Sequence, residues 1–179
     1  MKAGKATTEE MAEVLGSIHT ESGANLLGLA SSSPMLLVFL RHFGCPFCRR
    51  TIEQIAELRG EFEARGVRVV FVHLGTSEIA TAHFDYYGLS EVERIHDPGA
   101  AIYRHPVFAL SRINPNWHFV NPAVWVGWLF GGGAKHGLHK IEGDGRQMPG
   151  IFFLKDAKIL RRFVHRTIAD QPDYLQLMR

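Results

Sequence analysis

The stretch "MLLVFLRHFGCPFCRRTIEQI", residues 35–55, sets an apolar run directly against the only two cysteines in the chain, Cys45 and Cys48. Residues 35–41 are apolar nearly throughout. Such a run predicts a strand covered on both faces, hence the middle of a mostly parallel sheet. Beyond the cysteines, Ile52, Ile55, Ala56, Leu58 and Phe62 recur at helical spacing, with Arg49, Arg50, Glu53, Glu57 and Glu61 mainly on the other side. A helix should therefore follow and stop at Gly66. The cysteines stand at a strand-to-helix junction.

That placement has a chemical logic. Residues three apart on a helix are neighbours, close enough for a short disulfide. The first cysteine meets the free N–H groups and positive dipole end of the helix, which favour a thiolate and lower its pKa from about 8.5. Pro46 suits the first helical turn, which can spare its N–H. Arg41, His42, Arg49 and Arg50 would add positive potential. Cys48, one turn further in, is better placed to resolve a mixed disulfide. His42 could hydrogen-bond the Cys45 thiolate or relay a proton, or be a half-exposed loop histidine. Arg41 and Arg49 have the alternative of being solvated rim charges. A zinc site needs four ligands, and there is no second cysteine pair; "HGLH" (His136, His139) stands alone as a ligand pair. Two inert buried cysteines are the other alternative. Redox chemistry is the reading favoured, with no metal and no bound cofactor.

Outward from this centre, residues 7–16 form a helix opened by Thr7 or Thr8 with Glu10 behind, and residues 17–34 read as connection. "VRVVFVHLG" (67–75) is a second buried strand, and "TSEIATAHFDYYG" a helix stopped near Gly88. "VERIHD" gives a short third strand, and "GAAIYRHPVFAL" a further helix bent at Pro106. Residues 111–148 lose regularity: Asn-Pro occurs twice, glycines cluster at 131–133 and three tryptophans crowd 117–128. This is an insertion with a short helix around 122–130. It would cap a substrate groove, form the face of a homodimer, or extend the core. "GIFFLKDAKILRRFVHR" is a hairpin, strands 150–155 and 158–165 turning at Asp156-Ala157. "DQPDYLQLM" supplies a last helix. The order predicts one three-layer α/β domain over 1–179 with a mixed sheet, residues 1–33 being an N-terminal extension.

The whole chain has 179 residues, 46% hydrophobic and 21% charged, with a formal net charge of +2. That balance argues for neither a nucleic-acid nor a membrane partner. The N-terminus carries acids where a secretory peptide needs an apolar core, and the apolar runs fall short of a membrane span of about 20 residues. A cytoplasmic protein is expected.

"FLRHFGCPFCRRTIEQI" after a buried strand, with "MPGIFFLKDAKILRRF" near the C-terminus, resembles the thioredoxin superfamily. More narrowly it is similar to the peroxiredoxin-like branch of the AhpC/TSA antioxidant family, whose members carry Arg-x-Phe-x-Cys-Pro-Phe-Cys. The resemblance spans residues 34–178. It implies a thioredoxin-like fold, a redox-active disulfide, a peroxide or disulfide substrate, and electrons from a thioredoxin- or glutathione-type donor. It also implies a cis-proline facing the cysteines, at Met148-Pro149. The chain departs from ordinary peroxiredoxins at two places: Val38 stands at their proline and His42 at their threonine. The only arginine near their distant one is Arg146. Phe39 stands where thioredoxins bury an acid. The resemblance favours peroxide, and the missing threonine favours disulfide exchange. The expected function is a thiol oxidoreductase in which Cys45 attacks and Cys48 resolves, with Arg41, His42 and Pro149 around them. From another class, the alternative is a non-enzymatic adaptor using its aromatic insertion to bind a partner.

Overall fold

A computed structural model describes residues 7–113, 120–130, 133–136 and 143–179. Its sheet is built around the opening stretch. β1 (Met35–Phe39) is central. It pairs in parallel with β2 (Arg68–His73) and antiparallel with β4 (Gly150–Lys155), the sheet running β3–β2–β1–β4–β5 with β3 (Glu93–His96) and β5 (Lys158–Val164) at the edges. Every residue of β1 is buried, as its unbroken apolar run predicts.

Alternation along the strands divides the core in two. Met35, Leu37, Phe39, Val70, Val72, Phe152 and Leu154 face α1 (Thr8–Ser17) and α2 (Leu26–Ser32). Leu36, Val38, Phe71, Ile151 and Phe153 face α3 (Pro46–Glu57), α4 (Arg59–Ala64) and α5 (Ser77–Tyr86). The result is a three-layer α/β arrangement with a mixed sheet. α3 starts immediately beyond the end of β1, which brings the cysteines to the rim where β1 and β2 finish.

Local chemistry accounts for the ends of the elements. Thr7 and Glu10 form a reciprocal capping box on α1. The strand expected over 35–41 stops at Phe39, because Arg41 turns its backbone N–H to a cysteine sulfur. The connection expected over 17–34 instead contains α2. Asn25 caps this helix by accepting from the Gly28 N–H at 3.2 Å, and Leu26 and Ala30 bury its inner face. The helix expected over 99–110 shrinks to α6 (Ala101–Arg104). Asp97 accepts from the N–H groups of Ala101 and Ile102, and His105 goes extended before Pro106. The hairpin turns at Asp156 and Ala157, both in the left-handed region (φ 50° and 56°), as a two-residue turn between right-twisted strands requires.

The helix expected near 122–130 is α7 (Pro122–Leu129), capped by Asn121, with α8 (Gly133–His136) close behind. Asn114-Pro115, Trp117 and His139 lie outside the described residues. α9 (Tyr174–Leu177) closes the chain, shorter than "DQPDYLQLM" suggested because Pro172 lies before its Asp173 cap. No helix among the described residues is long and apolar enough to cross a membrane.

Candidate active site

Cys45 is the N-cap residue of α3 and Pro46 its first helical residue. Cys48 follows one turn on, and both thiols are free and 3% exposed. Three groups converge on the sulfurs. The Cys48 thiol hydrogen-bonds the Cys45 sulfur, Arg41 lies beside it, and the backbone N–H groups of Phe47 and Cys48 point at it. Burial alone would push the Cys45 thiol up. The hydrogen bond from Cys48, the Arg41 charge and the helix N–H groups outweigh it and bring Cys45 down to about 6. Cys48 moves the other way: its hydrogen bond to Cys45 and its burial hold the proton on and push its thiol up. One cysteine is thus a thiolate at neutral pH while its neighbour is a thiol. This is the division of labour a nucleophile and a resolving residue need.

Arg41 is not a rim charge. It is 5% exposed, and each part of it is engaged. Its backbone N–H donates to Cys48 Sγ (3.3 Å) and its Nη1 to Cys45 Sγ (3.6 Å). Its Nε donates to the Gln147 carbonyl (3.0 Å) and its Nη2 to the Gly145 carbonyl. Arg41 thus brings its positive charge to the sulfur from the cysteine loop itself, and Arg146 is exposed. Gln147 is itself fixed, its side-chain amide donating to the carbonyls of Leu110 and Ser111. Arg49 is also buried, at 7%.

His42 is buried rather than half-exposed. Burial and the Arg41 charge lower it to about 4, so its ring is neutral, and its Nδ1 has no hydrogen-bond partner among the described residues. Its carbonyl accepts from the Cys45 N–H at 3.0 Å and so shapes the turn into α3. No hydrogen bond joins the ring to Cys45.

Pro149 lines a small cavity under Cys48 together with Phe47, Thr51, His165 and Gln171. It therefore stands beside Cys48, but no peptide bond among the described residues is cis. The cis bond expected at Met148-Pro149 is thus trans. Trans is the ground state of an X–Pro bond by about 0.5–1 kcal/mol, and here the Met148 N–H is tied to the Ser111 carbonyl at 2.9 Å.

Two residues of the site carry no signal in the sequence. His165, just past β5, is 6% exposed, and its neighbour Val164 pairs with Gly150. Tyr103, fully buried, reaches the carbonyls of Leu40 and Val72 with its hydroxyl and so braces the rim from the other face. His136, one half of the "HGLH" pair, bonds Glu53 and Tyr87. Among the described residues no three His, Cys, Asp or Glu side chains stand close enough to hold a metal ion. A larger groove of about 410 Å³ at the opposite end of the sheet, lined by Arg59, Glu63 and Arg68 among others, contains neither cysteine.

No family model matches the chain, and no curated protein matches its sequence. Solved structures do match. Peroxiredoxin Q of Xanthomonas campestris superposes with a TM-score of 0.57 at 12% identity, over 85% of this chain and 82% of that one. A putative thiol:disulfide interchange protein DsbE from Chlorobium tepidum gives 0.52 at 18% identity, over 90% and 88%. A secreted Mycobacterium tuberculosis disulfide oxidoreductase gives 0.53 at 17%, over 91% and 93%. The fold is thioredoxin-like. Within this thioredoxin-like fold the two cysteines open the helix that follows the central strand, and Pro149 enters the strand beside it.

Proposed function

We propose that the protein is a thiol-dependent oxidoreductase that reduces a small oxidant with a weak O–O or S–S bond. Cys45 attacks, and Cys48 resolves the adduct to an intramolecular disulfide. The observation that carries this reading is the split between the two sulfurs: Cys45 brought down to about 6 by Cys48, Arg41 and the helix N-terminus, and Cys48 pushed up. An exposure of 3% at Cys45 favours a hydroperoxide or low-molecular-weight disulfide over a protein surface as the first substrate. The fold neighbours, named as peroxiredoxins and disulfide oxidoreductases, support thiol redox chemistry in general. Electrons would return from a thioredoxin- or glutathione-type donor in a reducing compartment such as the cytoplasm.

Stopped-flow oxidation of the reduced protein by hydrogen peroxide and by a model disulfide tests this. Both reactions should vanish in Cys45→Ser, and Cys48→Ser should react once and stall. Faster reaction with peroxide assigns peroxidase activity, faster reaction with disulfide assigns exchange, and reaction with neither at above free-thiol rates refutes the enzyme.

One observation favours the adaptor reading. Val126, Leu129 and Phe130 at the outer side of α7 are 57%, 59% and 84% exposed, while Val124 and Trp128 pack inward on the cysteine side of the core. An adaptor needs no activated sulfur, so alkylation of Cys45 at graded pH separates the two readings.

A further inference from the structure

The resolving step poses a problem that the site described so far does not solve. Cys48 must shed a proton to attack, yet it is buried and its thiol is held protonated by the Cys45 thiolate. The second obstacle disappears during the reaction. Once Cys45 carries a fragment of the oxidant, its negative charge is gone. The Arg41 backbone N–H, 3.3 Å from Cys48 Sγ, and the Arg41 charge then remain to receive a Cys48 thiolate. The first obstacle stays: the proton needs a way out.

A way out adjoins the sulfur. Cys48 shares with His165 a cavity of about 10 Å³, at the lower limit for one ordered water. Thr51 and Gln171 are the other polar side chains that line it, and Pro149 and apolar residues of the core form the rest of the wall. The Nδ1 of His165 is fully buried and has no hydrogen-bond partner among the described residues. Leaving a buried polar nitrogen unpaired costs about 1–3 kcal/mol. That cost points to a role, since a phenylalanine would fill the same space against Phe163, whose ring stands 4.9 Å away edge-on. The ionisable groups around the ring are Arg41, from the loop after β1, Asp170, from the turn after β5, and Cys48 across the cavity. Burial, helped by Arg41 and opposed by Asp170 and by the backbone of Pro149 and Asp170, keeps the imidazole neutral, so its lone pair takes a proton only in passing and hands it on at once.

We propose that His165 carries the proton away from Cys48 during the resolving attack, across the cavity the two side chains share. This rests on the oxidoreductase reading and deepens it. The Cys48 proton passes to His165, and the Cys48 sulfur forms a bond to Cys45 Sγ with the electron pair it keeps. The bond from Cys45 Sγ to the oxidant's fragment breaks, and a thiolate or hydroxide departs with that pair. Two thiols lose two electrons, the oxidant gains two, and the imidazolium returns the proton to solvent.

The test uses an aryl disulfide whose thiolate is coloured, mixed with the reduced protein. Cys45 attack releases the first coloured thiolate and Cys48 resolution the second. In His165→Phe the first release should keep its rate, while the second slows about 100-fold near neutral pH, the usual scale of a lost proton-transfer group. The pH profile separates this from a structural role. The wild-type second phase should be nearly flat between about pH 6 and pH 8, because the imidazole is already neutral there. The variant's should climb about tenfold per pH unit, as hydroxide takes over. His165→Gln keeps a polar group of similar reach, and it carries the same test should the phenylalanine variant not fold. A second phase with unchanged rate and flat profile overturns the proposal, and so does equal slowing of both phases. A wild-type protein that shows no first release would instead refute the oxidoreductase reading itself.

Discussion

Replacing Cys48 by alanine and by serine separates what activates Cys45. The largest influence lowering Cys45 is the hydrogen bond from the Cys48 thiol, ahead of Arg41 and the helix N–H groups. A hydrogen bond to a charged group is worth about 1.5–3 kcal/mol, and one pKa unit is about 1.4 kcal/mol. Alanine, which cannot donate, should therefore raise Cys45 by roughly 1–2 units, from about 6 to between ~7 and ~8. At about pH 7 the thiolate fraction would fall from ~90% to between ~10% and ~50%. Serine still donates and should leave the titration close to its wild-type position. Each variant retains a single cysteine, so the pH dependence of iodoacetamide alkylation, checked by ultraviolet thiolate absorbance, reports on Cys45 alone. An alanine variant that still titrates near 6, or alanine and serine variants that move together, would show that the neighbouring thiol is not the activating group.

His42 and His165, each lowered by burial from 6.5 to about 4, leave the native state at equilibrium with fewer bound protons than the unfolded chain between those values. Stability should accordingly fall as pH drops from 6.5 toward 4, by up to roughly 3 kcal/mol per histidine; a His42→Leu variant whose urea midpoint shows as steep a loss as wild type would contradict this. In Gly127→Ala the new Cβ would lie 2.6 Å from Ala169 Cβ, pushing α7 away from the segment after β5 at a cost of about 1–3 kcal/mol. Gly28→Ala, on the exposed face of α2 with no atom within 4 Å, should go the other way by up to about 1 kcal/mol, and denaturant titration of the two reads both signs.

The residues that could be read from sequence are those whose signal is local. The two cysteines and Pro46 lie within one helical turn, and the run of β1, the alternation of the hairpin and Gly66 each announce a single element. What failed to show was set by distant partners. "LLGLASS" became a helix because Asn25 caps it and the sheet face needs Leu26 and Ala30, whereas its serines pointed to a linker. For Arg41 and Arg49 the sequence leaves a charge at the thiolate and a solvated rim charge both open, because the Gly145 and Gln147 carbonyls that accept from Arg41 lie over a hundred residues away. His165 follows a strand and has no neighbour in sequence that suggests chemistry. Only the fold sets it against a cavity lined by residues 38–40, 47, 48, 51, 149, 151, 168 and 171. Pro149 was placed by resemblance, and its position beside the site holds while its cis geometry does not.

The guanidinium beside Cys45 is oriented by main-chain oxygens at Gly145 and Gln147, in the segment that leads into β4. Carbonyls survive every side-chain substitution, so an alanine scan across these positions would report them as silent for that role. Loop length and path, by contrast, would register at once. Grafting a shorter segment before β4 from another protein of this shape would move both oxygens and release the arginine. The sulfur would lose its tuning with no residue of the cysteine motif altered.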